Sequence, residues 1–371
     1  MRVAIDATAL LGRRTGIGTC TAQIIDRLPR PGLDVTAFAI SARGAGSLSS
    51  LLPSAVHAVR RPMAARPLRA AWLRGDRPVI EWWTGPIDVV HGPNFVVPPS
   101  RAAEVVTVHD LTCVRFPELC TEDTLQIPAL LRRAIGRGAW VHTVSSFVAA
   151  EVIEHFDIDA GRVVVIPNGT TPVVDDQTRA VHVSRARTMI DADRYLLSLG
   201  TIEPRKDIPT LIAAFELLAS SDPDLELVIA GPDGWGSAQV ADAIDRSPFR
   251  ARIRRLGWLD AVERDAVLAG ATVFVYPSLY EGFGLPPLEA IALGTPVVAT
   301  RVGALPEVLA DSAGWAEPHD PASLAAAIAS VLEDDALARS LRHAGERRIA
   351  RFNWDDSTDA LVELYTTISD R

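Results

Sequence analysis

A pattern of short apolar runs separated by helical periodicity passes through this chain and then begins again near its middle. In the first half the strand candidates are Val3–Asp6, Val35–Ile40, Asp88–His91, Val105–His109 and Trp140–Val144. Helical periodicity fits between them at Ile17–Leu28, Leu125–Arg137 and Ser146–His155. The second half offers strands at Tyr195–Leu199, Leu225–Ala230, Ile253–Leu256, Val273–Tyr276 and Val297–Ala299, with helices at Ile208–Ala219, Ala261–Leu268 and Leu288–Leu293. Such alternation builds parallel sheets covered by helices. The expected fold is α/β, with two doubly wound, Rossmann-like domains at 1–170 and 171–353 facing each other across a cleft. Ligands of such sheets bind outside the carboxyl ends of the strands. Pro167-Asn168-Gly169 and the polar stretch to Asp193 read as a linker, and Trp354 to Ile368 as an amphipathic helix.

With 371 residues, 48% hydrophobic and 22% charged, the chain is long enough for two cores. It holds no uncharged apolar run of the roughly 18 residues or more that a membrane span needs. The N-terminus meets Asp6 too early for a signal peptide. Cys20, Cys113 and Cys120 form no metal-binding spacing, and isolated thiols suit a reducing cytosol, so a cytoplasmic location is expected. The net charge of −9 is uneven. Residues 1–170 carry 18 arginines against 15 acids, and the acidic excess lies in the remainder. An acidic chain is a poor partner for nucleic acid. The arginines at 60, 61, 66, 69, 74 and 77, mixed with Met63, Leu68 and Trp72, offer a basic amphipathic surface for an anionic or membrane-borne acceptor. Trp72, Trp82 and Trp83 are candidates either for stacking on an acceptor sugar or for core packing.

The sharpest chemical signal is Glu281-Gly-Phe-Gly-Leu-Pro-Pro-Leu-Glu289, directly after a strand. Gly282 and Gly284 permit a tight turn and a close approach of backbone to ligand. Pro286 and Pro287 suit the first turn of a helix, which places Glu289 on that turn. Backbone N–H groups at a helix start can hold a diphosphate, and the flanking carboxylates can accept hydrogen bonds from hydroxyls. A second signal, Gly200-Thr-Ile-Glu-Pro-Arg205-Lys206-Asp207, sets two cations after another strand, suited to clamping a diphosphate. Lys206 is the only lysine, against 36 arginines, which points to a need for a compact ammonium there. Gly12-Arg-Arg-Thr15-Gly16-Ile-Gly18 lacks the spacing of a dinucleotide fingerprint and reads as a flexible loop reaching toward a phosphate or sugar. His109 ends a strand and would stand at the cleft. The Asp-x-Asp pairs 157/159, 191/193 and 222/224 lie in polar loops explained by capping and turns, so no metal and no cofactor are expected. No Gly-x-Ser-x-Gly elbow or Walker loop is present.

The stretch Tyr276-Pro-Ser-x-Tyr-Glu-Gly-Phe-Gly-Leu-Pro-x-Leu-Glu-Ala290 resembles the retaining glycosyltransferases of family 4, with the GT-B fold. Leu199-Gly-Thr-Ile-Glu-Pro-Arg-Lys-Asp207, Gly294-Thr-Pro-Val-Val-Ala-Thr300, Val108-His-Asp-Leu111 and Pro167-Asn-Gly169 are similar as well, so the resemblance runs essentially end to end. The nearest branch is that of bacterial O-antigen and capsule mannosyltransferases. The resemblance implies that Arg205 and Lys206 hold the donor diphosphate and Glu289 the ribose. It implies that Glu281, with amides of Gly282, Phe283, Gly284 and Leu285, holds the sugar and phosphate. Gly16 and Gly18 would close on the phosphates, His109 would contact the sugar near its anomeric carbon, and Gly257-Trp258-Leu259 would read the base. The helix from about 354 to 371 would cross back onto the first, acceptor-binding domain, leaving the second to bind the donor. One departure is Thr201, where many relatives carry arginine; Arg205 takes over that charge.

The expected activity is thus metal-independent transfer, with retention, of a hexose from a nucleotide sugar, GDP-mannose favoured, to a glycan or lipid-linked acceptor. Alternatives are a UDP-sugar donor, a two-domain sugar-nucleotide epimerase, and a catalytically idle sugar-nucleotide binder.

Overall fold

A computed structural model describes residues 1–12 and 15–370. Arg13 and Arg14 of the glycine-bearing segment lie outside the described residues. The chain divides into two units, Met1–Gly169 joined by the segment from Trp354 onward, and Thr170–Asn353.

In the first unit the strands are β1 (Arg2–Asp6), β2 (Asp34–Phe38), β3 (His57–Ala58), β4 (Val89–Gly92), β5 (Ala103–Val108), β6 (Trp140–Thr143) and β7 (Val163–Val165). They pair in parallel in the order β3-β2-β1-β4-β5-β6-β7. Val3, Ala4 and Ile5 in β1 and Val105 and Val106 in β5 are wholly buried, as strands covered on both faces require. The second unit holds β8 (Tyr195–Leu199), β9 (Glu226–Ala230), β10 (Ile253–Gly257), β11 (Val273–Tyr276), β12 (Val297–Thr300) and β13 (Ala313–Ala316). Its order is β10-β9-β8-β11-β12-β13, again all parallel. Among the described residues no helix is long and apolar enough to cross a membrane.

Several expectations need correction. The polar stretch read as a linker contains a helix, Asp176–Ile190. Only Ala186 and Ile190 of this helix are buried, among polar neighbours, so it carries almost no amphipathic signal. It packs on helix Ala261–Gly270 so closely that a Cβ at Gly270 would stand 2.4 Å from Cβ of Ala186. Gly16 and Gly18 are not in a loop. They lie in the first turn of helix Gly16–Arg27, where Thr15 is the N-cap and Gly18 is buried. Glu289 is the fifth residue of helix Leu285–Ala292, one turn further in than expected, because the helix begins before its two prolines. Met63, Leu68 and Trp72 are core residues, with the indole N–H of Trp72 donating to the Pro78 carbonyl at 3.0 Å. The apolar side of that basic segment is therefore spent on the interior. Trp82 is exposed and Trp83 partly buried.

The helix Trp354–Ser369 completes the first unit through a buried polar chain. The Ile166 carbonyl can only accept, so His142 Nε2 carries the proton of their 2.9 Å hydrogen bond. His142 Nδ1 then accepts from the Thr107 hydroxyl at 2.9 Å. Thr107 Oγ1 accepts from His91 Nε2 at 2.7 Å, and His91 Nδ1 accepts from the Tyr365 hydroxyl at 2.6 Å. Every donor in the chain meets an acceptor with both imidazoles neutral. Burial depresses both, His142 to about 4 and His91 well below its ordinary value. At the helix surface Arg27 pairs with Asp355 and Arg30 with Asp359.

We expect Tyr365→Phe, which leaves the buried His91 Nδ1 without its donor, to lower stability by about 1–3 kcal/mol in urea unfolding. The unfolded chain protonates His142 near 6.5 while the folded protein resists until about 4. Its contribution is therefore complete above 6.5 and is lost as pH falls through that window, by up to about 1.4 kcal/mol per unit. His142→Asn should flatten the stability–pH curve there; an unchanged slope would contradict the chain as described.

Candidate functional site

Because every strand of the second sheet is parallel, the loops after β8 to β12 all leave one edge. Three glycines close that edge at positive φ: Gly200 (+155°), Gly231 (+132°) and Gly257 (+66°). The N–H of Gly200 donates to the Ala230 carbonyl, and that of Gly231 to the Gly257 carbonyl at 2.6 Å. A Cβ on Gly231 would lie 1.9 Å from the carbonyl oxygen of Gly200, so no other residue fits. The turn Gly257-Trp258-Leu259 lies on this edge, with Trp258 exposed and Leu259 partly buried.

Beyond β8 the chain makes a short 3-10 turn, Pro204–Lys206, before helix Ile208–Ala219. The neighbouring loop after β11 is tied to it, since the Leu279 N–H donates to the Arg205 carbonyl at 2.8 Å and Arg205 donates to the Tyr280 carbonyl at 2.7 Å. Glu281 is thereby brought against both cations. Its Oε1 lies 2.6 Å from Lys206 Nζ and 2.8 Å from Arg205 Nη1. Arg205 also donates to Glu203 at 2.6 Å, and Lys206 to the Tyr276 hydroxyl at 2.6 Å. The Glu281 backbone is fixed by the turn that follows β12. The Ala304 N–H donates to the Glu281 carbonyl, and a Cβ on Gly303 would lie 2.2 Å from that oxygen.

Glu281 is 6% exposed. Burial alone would raise its carboxyl, but Arg205 and then Lys206 outweigh it and hold the group at about 2. Lys206 sits below its usual range because it is desolvated and faces Arg205, although Glu281 opposes the shift. Two cations and two carboxylates, Glu203 and Glu281, thus balance in a dry recess at the sheet edge. A diphosphate arriving there would take up cation donors now spent on Glu281, freeing that carboxylate to accept hydroxyl hydrogens.

After Glu281 the chain turns through Gly282 and Phe283 to Gly284, at φ +102°, which starts helix Leu285–Ala292. Phe283 is buried edge-to-face on Phe352. Pro286 and Pro287 remove two N–H groups of the first turn, so the amides at its mouth are those up to Leu285. Glu289 lies 3.4 Å from the Arg264 guanidinium, and burial raises its carboxyl despite that partner.

The edge of the second sheet thus gathers Arg205, Lys206, Glu281, the Gly282–Leu285 turn and the Gly257 turn. Glu289 lies in the helix after that turn, and the remaining expected groups, His109, Gly16 and Gly18, lie in the first unit. His109 follows β5 directly at that sheet's carboxyl edge, its Nε2 donating to the Pro93 carbonyl at 2.8 Å. Burial pulls its imidazole below the ordinary value, so Nδ1 presents a lone pair. Gly16 and Gly18 shape a helix start there. Tyr276 opens the stretch that carries the resemblance, yet an aromatic ending an apolar strand reads as core and no site role was expected of it. Among the described residues, no group of three or more His, Cys, Asp or Glu is placed to hold a metal ion.

Two Rossmann-like units, the second with basic and acidic groups joined at its strand ends, define the class of GT-B glycosyltransferases. Residues 14–172 match the family described as Glycosyltransferase Family 4, and residues 183–348 match Glycosyl transferases group 1. O-antigen chain mannosyltransferase B of Escherichia coli is 31% identical over 281 residues, 75% of this chain and 74% of that one. The chain belongs to glycosyltransferase family 4. Glycogen synthase of Mycobacterium tuberculosis is also 31% identical, over 75% of this chain and 68% of its own length. In fold, Anabaena HepE, solved in complex with UDP and glucose, superimposes with a TM-score of 0.75 over 99% of this chain and 100% of that one, at 18% identity.

Removing one cation leaves the buried Glu281 with Arg205 alone. We expect Lys206→Met to cost about 2–4 kcal/mol in urea unfolding at neutral pH. Glu281 contributes stability above its ordinary 4.5 that is lost as pH falls through 4.5 toward about 2. In the variant that loss should occupy a narrower window; equal acid sensitivity of the two proteins would refute the pairing.

Proposed function

We propose that this glycosyltransferase moves a mannosyl group from GDP-mannose, with retention of anomeric configuration, to a hydroxyl of a glycan or lipid-linked glycan in the cytoplasm. The observation that carries the reading is the convergence of Arg205, Lys206 and Glu281 at two adjacent strand ends. In this reading the two cations take the donor diphosphate and stabilise it as it leaves. Glu281 turns to the sugar hydroxyls, with the amides of Gly282 to Leu285 beside it, and Glu289 holds the ribose. The Gly257 turn meets the base. His109 offers Nδ1 to the sugar. We take the reaction to need no metal, because the cations supply the charge that a metal would. The mannosyl assignment is supported by likeness to the O-antigen chain mannosyltransferase.

A UDP-sugar donor is the second reading, favoured by the UDP and glucose with which the like-folded Anabaena HepE was solved. The exposed arginines 60, 61, 66, 74 and 77 support an anionic, membrane-borne acceptor, and sedimentation with anionic vesicles tests that part.

A thermal-shift screen against GDP, UDP, ADP and dTDP and their sugar conjugates decides the donor. A ligand at about 100 times its Kd stabilises by roughly 2.7 kcal/mol. We expect a GDP-selective shift; a UDP-selective one transfers the assignment to the second reading, and silence throughout defeats the donor site. Lys206→Ala and Glu281→Gln should each cut transfer by about 100-fold or more, and EDTA should leave the rate unchanged. Conversion of the nucleotide sugar without an acceptor would instead identify an epimerase.

A further inference from the structure

Tyr276 is the last residue of β11 and is 2% exposed. Alternation along the strand puts it on the same face as Phe274, and the two rings stack with centroids 6.0 Å apart at 27°. The ring is therefore fixed by the sheet and by its neighbour. Its hydroxyl nevertheless sits 2.6 Å from Lys206 Nζ, and the ammonium lies 4.3 Å from the ring centroid.

An ammonium has three N–H groups. In this protein one goes to Glu281 Oε1 and one to the Tyr276 hydroxyl, both at 2.6 Å. The third has no partner among the described residues. Lys206 is a long, flexible side chain on a short 3-10 turn, and one ion pair leaves such a chain free to rotate about the contact. Two acceptors, one from the Glu281 loop and one from the rigid end of β11, aim the remaining N–H before a nucleotide arrives; once a diphosphate draws the donor from Glu281, the Tyr276 hydroxyl is the hold that stays. On the far side, Gly200 leaves room for the stem, since even a Cβ there would come no nearer than 3.5 Å to Cε.

We propose that Tyr276 is a positioning residue for the donor site, aiming the third N–H of Lys206 at the diphosphate of the nucleotide sugar. This rests on the donor reading above. A phenol suits the task better than a carboxylate. Burial, and then Glu281, push its hydroxyl well above the ordinary value, so it stays neutral and orients the cation without cancelling its charge. Phenylalanine would fill the same space and stack equally well on Phe274, so packing alone gives no reason for the hydroxyl.

Because Lys206 is the only lysine, acylation followed by peptide mass spectrometry reads this one side-chain amine, separate from the α-amine of Met1. The test compares wild type with Tyr276→Phe. The first measurement is the pH profile of Lys206 acylation by an N-hydroxysuccinimidyl acetate; the second is the calorimetric Kd for GDP and UDP. Loss of the hydroxyl removes an acceptor from the charged form, so the profile should move to lower pH by at least about 0.5 unit. The Kd of the nucleotide that binds wild type should rise at least about fivefold under conditions where both proteins remain folded. An unchanged profile, or a shifted profile with an unchanged Kd, would overturn the assignment. If wild type binds neither nucleotide, the donor reading fails by itself, and the acylation profile still shows whether Tyr276 holds the lysine.

Discussion

A sheet whose strands all run in one direction delivers every connecting loop to the same edge, and the chemistry of this protein follows from that constraint. In the second unit five successive strands release their loops there, so groups from residues 200 to 304 meet although they are far apart in sequence. The convergence requires backbone to pass backbone within van der Waals contact. That is why Gly231 faces the Gly200 carbonyl and Gly303 faces that of Glu281. Only after the strand ends are drawn together can one carboxylate reach two cations carried by the neighbouring loop.

The ion cluster built on that edge is electrically economical. Burying an ammonium or a carboxylate alone is expensive, and even a pair repays the cost only when its hydrogen bonds are complete. Glu281 meets the condition with partners from Arg205 and Lys206, and Arg205 adds Glu203 and the Tyr280 carbonyl. The resulting recess is close to neutral, yet its cations can be exchanged between an internal carboxylate and an incoming phosphate. A site of this kind is stable when empty and still attractive to an anion.

Much of the architecture was legible in the sequence because its signals are local. The runs at Val3–Asp6, Tyr195–Leu199 and Val273–Tyr276 are buried on both faces and read as continuous apolar strands, and the Glu281 to Glu289 spacing sits within a single strand–turn–helix unit. What escaped was non-local or unpatterned. Helix Asp176–Ile190 buries only Ala186, against Gly270, and Ile190, too few apolar positions to leave a hydrophobic stripe. The Gly16 and Gly18 pair looked like a flexible loop because glycine is rare in helices, yet Thr15 caps a helix there. Strand Ala313–Ala316 has no β-branched residue to mark it. The Lys206–Tyr276 contact spans 70 positions, and neither residue type announces the other.

The polar chain from Tyr365 to Ile166 has a consequence for biosynthesis. Its first hydroxyl belongs to a helix that leaves the ribosome after the whole of the second unit, while His91, Thr107 and His142 emerge long before. Until then His91 Nδ1 has no Tyr365 hydroxyl to accept from, and Trp354 is not there to pack beside Gly169. Residues 170–353 have all their own strands in hand by that time. The order of maturation is therefore the reverse of the order of synthesis: the domain made first is finished last, and a nascent chain shortened before Trp354 would carry a complete second domain and an incomplete first.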